Sequence, residues 1–154
     1  MPRVAFDDLP DHGRLWVFPI GRALTASESE RCLTVVDDFL ANWAAHGVAL
    51  RSGRELHDGR FVIVGVDVDA EQPSGCSIDA LTNALRGLGK EIGASFIDHA
   101  PVWYRDQDGI RTVSRPEFKS LAEEGSVSDA THVFDTSLTA VGDFRGGRLL
   151  SLIH

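Results

Sequence analysis

Residues that could do chemistry together stand in one short segment, Ser74-Gly75-Cys76-Ser77, with Asp79 two positions later. The regular apolar spacing that follows predicts a helix that begins here. Unpaired backbone amides and the positive end of a helix dipole favour an anion, and they would also favour the thiolate form of Cys76. We therefore expect a small-anion or reactive-thiol site made of Ser74, Gly75, Cys76, Ser77 and Asp79. The alternative is that Ser74 or Ser77 caps the helix and Cys76 packs as a small apolar side chain.

A nucleophilic Cys76 would need a base, and the nearest histidines in the chain are His46, His57 and His99. No known motif spacing ties any of them to the cysteine. The phosphatase pattern is a cysteine, five residues and an arginine, and its closing position here is Thr82. Phosphate transfer through Cys76 is therefore disfavoured.

The histidines do not indicate a metal site. They stand singly at positions 12, 46, 57, 99, 132 and 154, without a paired spacing such as His-Glu-x-x-His. We expect solvated or capping roles for them, and we expect neither a metal nor another cofactor.

Composition restricts the class of partner and the compartment. With 15 basic and 23 acidic residues the formal charge is −8, which opposes binding to nucleic acid or to an anionic membrane surface. The first residues lack the apolar stretch of a signal peptide or a membrane helix. Cys32 and Cys76 are too few for a disulfide framework, so we expect free thiols in a cytoplasmic protein.

The elements around the candidate site alternate between strand and helix. Apolar residues 15–20 predict a strand, and Thr25 with Glu28 predicts a capping box for a first helix that stops near Gly47. The second helix follows Ser74. Its apolar residues recur every three or four positions: Ile78, Leu81, Leu85, Leu88 and Ile92.

Between the helices, Asp58-Gly59 predicts a tight type I′ turn that joins two strands. The arm before the turn is polar, whereas the arm after it, residues 61–66, is apolar on both faces. The polar arm should lie at an edge of the sheet and the apolar arm in its centre. With residues 101–105 as a second edge strand, the order of elements predicts an α+β fold with a ferredoxin-like βαββαβ sheet.

The length of 154 residues predicts a single domain, with residues 14–106 as the sheet core and residues 107–154 as an extension. The extension should supply a strand, a helix that starts with a capping box at Ser114 and ends at Gly125, and an irregular tail. Residues 149–153 close the chain as a short strand or a docked segment.

Trp16, Phe18, Phe61 and Ile63 indicate that the sheet is apolar on both faces. A ferredoxin-like sheet has helices on one face only, so something must cover the other. The two alternatives are the extension of the same chain and a second copy of the chain.

Three groups of residues stand out together. The first is Trp16-Val17-Phe18-Pro19-Ile20 with Arg22, the second is Trp43 with His46-Gly47, and the third is Ser74-Gly75-Cys76-Ser77-Ile78-Asp79. They resemble a family of small uncharacterised bacterial proteins, and the resemblance runs from about Leu15 to Phe134. Some members of that family are labelled "ABC transporter ATPase". The family has no established activity, so the resemblance implies no catalytic residues.

The ATPase label can be compared with the residues themselves. A nucleotide-binding P-loop needs a glycine, four residues, and then Gly-Lys-Ser or Gly-Lys-Thr between a strand and a helix. Here Gly89-Lys90 is followed by Glu91, the first glycine position holds Ala84, and the segment lies inside the second predicted helix. We reject the ATPase interpretation for this sequence.

Two functions remain open. The first is a non-catalytic module that binds a small ligand or a protein or forms a homodimer, which the two-faced strands and the lack of a catalytic constellation favour. The second is a cysteine-dependent enzyme or an anion-binding sensor that uses Cys76 at the start of the second helix. We favour the first, because nothing in the chain names a substrate.

Overall fold

The computed structural model describes residues 3–152, and it has an α+β architecture. Ile153, the last residue of the predicted final strand, and His154 lie outside the described residues. None of the helices in the described range is long and apolar enough to cross a membrane. In chain order the elements are a 3₁₀ turn (Phe6–Asp8), β1 (Arg14–Pro19), α1 (Ala26–Ala41), β2 (Ala44–Ala45), β3 (Val48–Ala49), β4 (Ser52–His57), β5 (Phe61–Val66), α2 (Gly75–Ile92), β6 (Val102–Asp106), β7 (Gly109–Val113), α3 (Arg115–Glu123), β8 (His132–Phe134), α4 (Val141–Arg145) and β9 (Leu150–Leu152).

The first sheet has the strand order β1-β5-β4, and β5 is antiparallel to both neighbours. Every residue of β5 is buried, whereas β4 is buried at Ser52 and Gly53 and partly or fully exposed from position 54 to position 57. The prediction of a polar edge arm and an apolar central arm is confirmed. The turn between them is also confirmed, because Asp58 and Gly59 have φ angles of 55° and 64° and Arg60 N donates to His57 O at 3.0 Å.

α1 and α2 lie on one face of this sheet. The predicted capping box of Thr25 and Glu28 is present at the start of α1. The helix stops at Ala41, earlier than predicted, because residues 44–49 form a small hairpin whose turn residues His46 and Gly47 both have positive φ. The helices and the sheet enclose a first apolar core: Phe18, Ile20, Cys32, Val36, Leu40, Trp43, Val62, Val64, Val66, Leu81, Leu85 and Leu88.

The fourth strand of a ferredoxin-like sheet does not join β1. β6 belongs instead to a second sheet with the order β7-β6-β8-β9, so the expectation that residues 101–105 form the other edge of the first sheet is not met. The free edge of β1 contacts a loop, and Leu15 N donates to Thr139 O at 2.9 Å. The physical reason is competition for partners, since β6 forms a five-residue ladder with β7, its immediate neighbour in the chain.

The second sheet covers the apolar face of the first sheet that the helices leave open. A second core lies between the two sheets and includes Leu15, Val17, Phe61 and Ile63 from one side and Trp103, Phe134, Val141 and Leu149 from the other. Trp16 and Phe18, which were predicted to contribute to this face, contact the helix side instead. The chain therefore supplies the cover itself, and the apolar strands no longer argue for a second copy.

Two polar contacts connect the sheets at their shared border. The Trp103 indole Nε1 donates to Ile20 O at 3.1 Å. Arg60 is 9% exposed, and its guanidinium donates to Ile110 O at 3.2 Å and to the Thr112 hydroxyl. Burial lowers the pKa of Arg60 from its ordinary value. These contacts hold the end of β1 and the start of β5 against β6 and β7.

The extension is more regular than predicted. α3 begins after Ser114, whose hydroxyl oxygen accepts from Glu117 N at 3.2 Å, and it ends at Glu123 just before Gly125. The following residues form β8, α4 and β9 rather than an irregular tail. The two strands are three residues long and pair across a gap in the sequence, so they leave little local signal.

Two glycines inside α2 provide a matched test of how the helix meets the loop that follows it. A Cβ at Gly89 would lie 2.4 Å from Ala94 O, whereas a Cβ at Gly87 would meet no atom within 4 Å. We expect Gly89→Ala to lower the free energy of unfolding by about 1–3 kcal/mol through steric overlap. Gly87→Ala should raise it by about 0.5–1 kcal/mol, because alanine is the better helix former. Urea denaturation measures both, and equal stabilisation by the two variants would contradict this close approach.

Candidate functional site

The predicted Ser74–Ser77 segment does form the start of α2. Ser74 is the N-cap, and its hydroxyl oxygen accepts from Ser77 N at 3.1 Å, while Ser74 N donates to Ser77 Oγ at 2.7 Å. Ser77 is buried, and its backbone oxygen accepts from Trp43 Nε1 at 2.8 Å. Both hydroxyls therefore stabilise the helix end, as the capping alternative expected.

The other three residues of the segment face solvent. Cys76, Gly75 and Asp79 are exposed, so Cys76 does not pack as an apolar side chain. In the described part of the chain no hydrogen bond joins Cys76 to a histidine. A thiol site at Cys76 stays a prediction, and it has no base in contact.

A different set of polar residues lies where the two sheets meet. Two adjoining cavities of about 450 and 350 Å³ share the side chains of His99, Thr136 and Ser137. We call this pair of cavities the His99 groove. A third cavity, of about 500 Å³, continues along residues 135–139. Volumes in this range suit small ligands.

His99 stands in the loop between α2 and β6, and its Nδ1 lies 3.1 Å from Thr136 Oγ1. The His99 side chain is exposed, yet removal of part of its ring from water lowers its pKa, and the negative charge of Asp98 opposes that change. The imidazole is thus biased toward its neutral form, which has one donor and one acceptor nitrogen. A neutral histidine beside a hydroxyl can orient a polar ligand through two directed hydrogen bonds.

The loop that carries Thr136 is held in place by its own hydrogen bonds. Asp135 N donates to Leu149 O at 2.7 Å, and Asp135 Oδ1 accepts from Ser137 N at 2.9 Å and from the Ser137 hydroxyl. This is an Asx turn, in which an aspartate pairs with the backbone two residues later. It places the Asp135, Thr136 and Ser137 side chains at one wall of the His99 groove.

Aromatic and basic residues also border the larger cavity. Phe118 is partly exposed there, whereas Trp103 and Phe134 are buried beneath its surface, and the Trp103 ring is fixed by the indole bond to Ile20 O. Arg115 is the first residue of α3, and its Nε donates to Ala100 O at 2.9 Å. The cavity therefore combines an apolar surface with polar groups at its ends.

The smaller cavity lies along the edge of β1. Arg14 and Trp16 line it, and the Arg14 guanidinium stands 4.9 Å from the centre of the Trp16 ring. Thr82 of α2 and Ile97 complete its wall. The His99 groove thus runs from this cation–π pair past His99 to Arg115.

A separate concavity of about 360 Å³ lies at the far end of α2 and is lined by Arg86, Lys90 and residues 93–97. The carboxyl end of a helix carries the negative end of its dipole, which opposes the anions that Arg86 and Lys90 would attract. We therefore place the candidate site at the His99 groove. Among residues 3–152, no cluster of three or more His, Cys, Asp or Glu side chains has a geometry suited to a metal ion.

Comparison with known proteins gives no relative. No family model, no curated protein and no solved structure matches the chain. The resemblance to a family of small bacterial proteins therefore stays an expectation, and function has to be argued from the groove itself.

Most residues of this site were not predicted from the sequence. His99 is exposed, as its predicted solvated or capping role expected, and Thr136 and Ser137 were not among the predicted site residues. One local signal was present, because Asp135 two residues before Ser137 is the pattern of an Asx turn. The residues 99, 115 and 136 are far apart in the chain, so only the packing of the sheets brings them together.

The titration of His99 tests the environment of the groove. We expect its imidazole to titrate at a lower pH in the folded chain than in the urea-unfolded chain, because the folded structure disfavours the charged form. The free energy of unfolding should accordingly fall as the pH falls through this interval, since the unfolded state binds the proton more readily. Asp98→Asn should lower the folded midpoint further, because it removes the charge that favours protonation.

NMR of the imidazole protons measures these midpoints. Thr136→Val serves as the matched variant: burial rather than the hydroxyl causes the shift, so the midpoint should stay below the unfolded value. A folded midpoint equal to or above the unfolded one would contradict desolvation as the dominant influence on the ring.

Proposed function

We propose that this chain is a non-catalytic protein that binds a small ligand in the His99 groove. The observation that carries the proposal is that two cavities converge on the same three side chains, His99, Thr136 and Ser137. Apolar walls next to a few directed polar groups are the usual composition of a small-molecule site.

The contacts of His99 favour binding over catalysis. A nucleophile such as the Thr136 hydroxyl would need a base that is itself oriented by a third group. Asp98 is the neighbouring carboxylate, but its Oδ1 accepts from Ala100 N at 2.9 Å. Within residues 3–152 the His99 ring has its one side-chain hydrogen bond with Thr136. The arrangement can orient a ligand, and it lacks the relay that activates a hydroxyl.

The surface of the chain also fits a ligand-binding role better than an oligomerising one. Among the residues that the structure describes, Val48 at 46% is the one large hydrophobic side chain that is exposed. A stable homodimer usually buries an apolar patch of several hundred Å² on each copy. Homodimerisation remains a prediction without a surface to support it.

A fragment screen by NMR tests the proposed function. We expect small neutral and charged fragments to shift the resonances of His99, Thr136 and the Trp103 indole together, because all three border the larger cavity. Thr136→Val keeps the side-chain volume and removes the hydroxyl, and it should weaken such binding about five-fold, the effect of losing a hydrogen bond of about 1 kcal/mol.

The control is Thr34→Val, which changes the same residue type on the exposed face of α1, where the hydroxyl donates to Glu30 O. It should leave binding unchanged. Shifts that scatter over the surface, or equal effects of the two valine variants, would refute a site in the groove.

A second candidate function rests on the exposure of Cys76 at the first turn of α2. If the helix end activates Cys76, its alkylation at neutral pH should be about two- to five-fold faster in the folded Cys32→Ser variant than in the urea-unfolded form of that variant. The Cys76→Ser variant provides the control, because burial raises the pKa of Cys32 to about 11 and that thiol should stay unreactive while folded. An equal or slower folded rate for Cys76 would remove the thiol hypothesis.

A further inference from the structure

Two opposite charges border the larger cavity of the His99 groove. Arg115 and Asp135 both line it, yet they form no ion pair with each other or with any other side chain in residues 3–152. Arg115 uses Nε on Ala100 O, so its two terminal nitrogens remain available. Asp135 uses Oδ1 on Ser137, so Oδ2 remains available. The cavity thus presents a free cation and a free anion at separate places.

The surroundings strengthen both charges. Arg115 is the first residue of the nine-residue helix α3, so the positive end of that helix dipole adds to the guanidinium. Asp135 is half-buried, and its backbone is fixed by the bond to Leu149 O. The fixed and partly desolvated carboxylate of Asp135 interacts more strongly with a ligand than a mobile surface charge does, whereas Arg115 is exposed and gains from the helix dipole alone.

An apolar surface is part of the same cavity. The partly exposed side chains of Pro101, Val102, Phe118 and Val133 line it together with Arg115 and Asp135, and the buried rings of Trp103 and Phe134 lie beneath them. A ligand with a single charge would pair with either Arg115 or Asp135. It would displace water from the other residue without giving that residue a new partner, which costs free energy. A ligand that carries both charges and an apolar group would satisfy all three parts of the cavity.

From this arrangement, and resting on the proposed function, we infer that the ligand is a small zwitterion of the α-amino-acid type with an apolar side chain. Its carboxylate binds at Arg115, its ammonium group binds at Asp135, and its side chain lies against the apolar surface around Phe118. The cavity volume of about 450 Å³ accommodates a molecule of this size.

Chemically matched probes test this inference. L-Phenylalanine is compared with N-acetyl-L-phenylalanine, which lacks the cation, and with L-phenylalaninamide, which lacks the anion; L-leucine is a second zwitterion. We expect the two amino acids to bind to the intact chain and each capped derivative to bind at least about ten-fold more weakly, as loss of a charge-assisted contact predicts. Titration calorimetry and the groove resonances give the affinities.

Two variants, each of which removes one charge, assign the two charged groups of the ligand. In Arg115→Gln, phenylalanine should bind no better than its amide, because the partner of the carboxylate is gone. In Asp135→Asn, phenylalanine should bind no better than its N-acetyl form, and the asparagine Oδ1 still accepts from Ser137. Arg86→Gln and Asp129→Asn change the same residue types outside the groove and should keep the wild-type discrimination.

The outcomes separate this inference from the proposed function. If neutral fragments shift the groove resonances but neither amino acid binds at millimolar concentration, the zwitterion inference is wrong and the groove remains a ligand site. Equal binding of phenylalanine and its capped derivatives to the wild-type chain would overturn the inference as well. If neither fragments nor amino acids affect the groove, both proposals fail.

Discussion

Burial of the central strand β5 on both faces is the constraint on which the rest of the structure depends. Its six residues are all buried, and Phe61 and Ile63 point to one core while Val62, Val64 and Val66 point to the other. Exposure of either face would leave large apolar side chains in water, at a cost of about 1.5–3 kcal/mol for each. The chain must therefore supply two covers for one sheet.

Two helices cover one face of the first sheet and a second sheet covers the other, and the His99 groove lies at the border of the second cover. α1 and α2 form the first cover, and the second sheet forms the other. Where the second sheet meets the edge of β1, the contact is made by loops that carry His99 and residues 135–139. Trp103 and Arg60 fix the relative position of the two layers nearby. The polar side chains of the groove thus sit on loops that a rigid scaffold holds in place.

The two ends of α2 show why residue type alone is a weak guide to a site. The start of the helix contains a thiol and two hydroxyls, but the hydroxyls satisfy the backbone of the helix and Ser77 is buried. Beyond its end, the loop carries His99, which partial removal from water biases toward the neutral form and which meets the Thr136 hydroxyl. A functional site needs polar groups that are not already used in local hydrogen bonds and that lie close to one another in the folded chain. The local sequence does not show either property.

Much of the first layer could be predicted because its signals are local. The caps at Thr25 and Ser74, the Asp58-Gly59 turn and the apolar period of α2 depend on neighbours within a few residues. The structure confirms these local elements, whereas the resemblance to a family and the proposed reactivity of Cys76 stay predictions.

The sequence by itself determined the helix starts, the hairpin and the two-faced apolar strand, because each is specified by short-range sterics and hydrogen bonding. Only the tertiary structure decided that β6 joins a second sheet, that this sheet rather than another copy covers β5, and that His99, Arg115 and Asp135 border one cavity. The reason is that pairing between distant segments depends on competition among many alternative partners, and the residues of the groove have no common period or spacing in the chain.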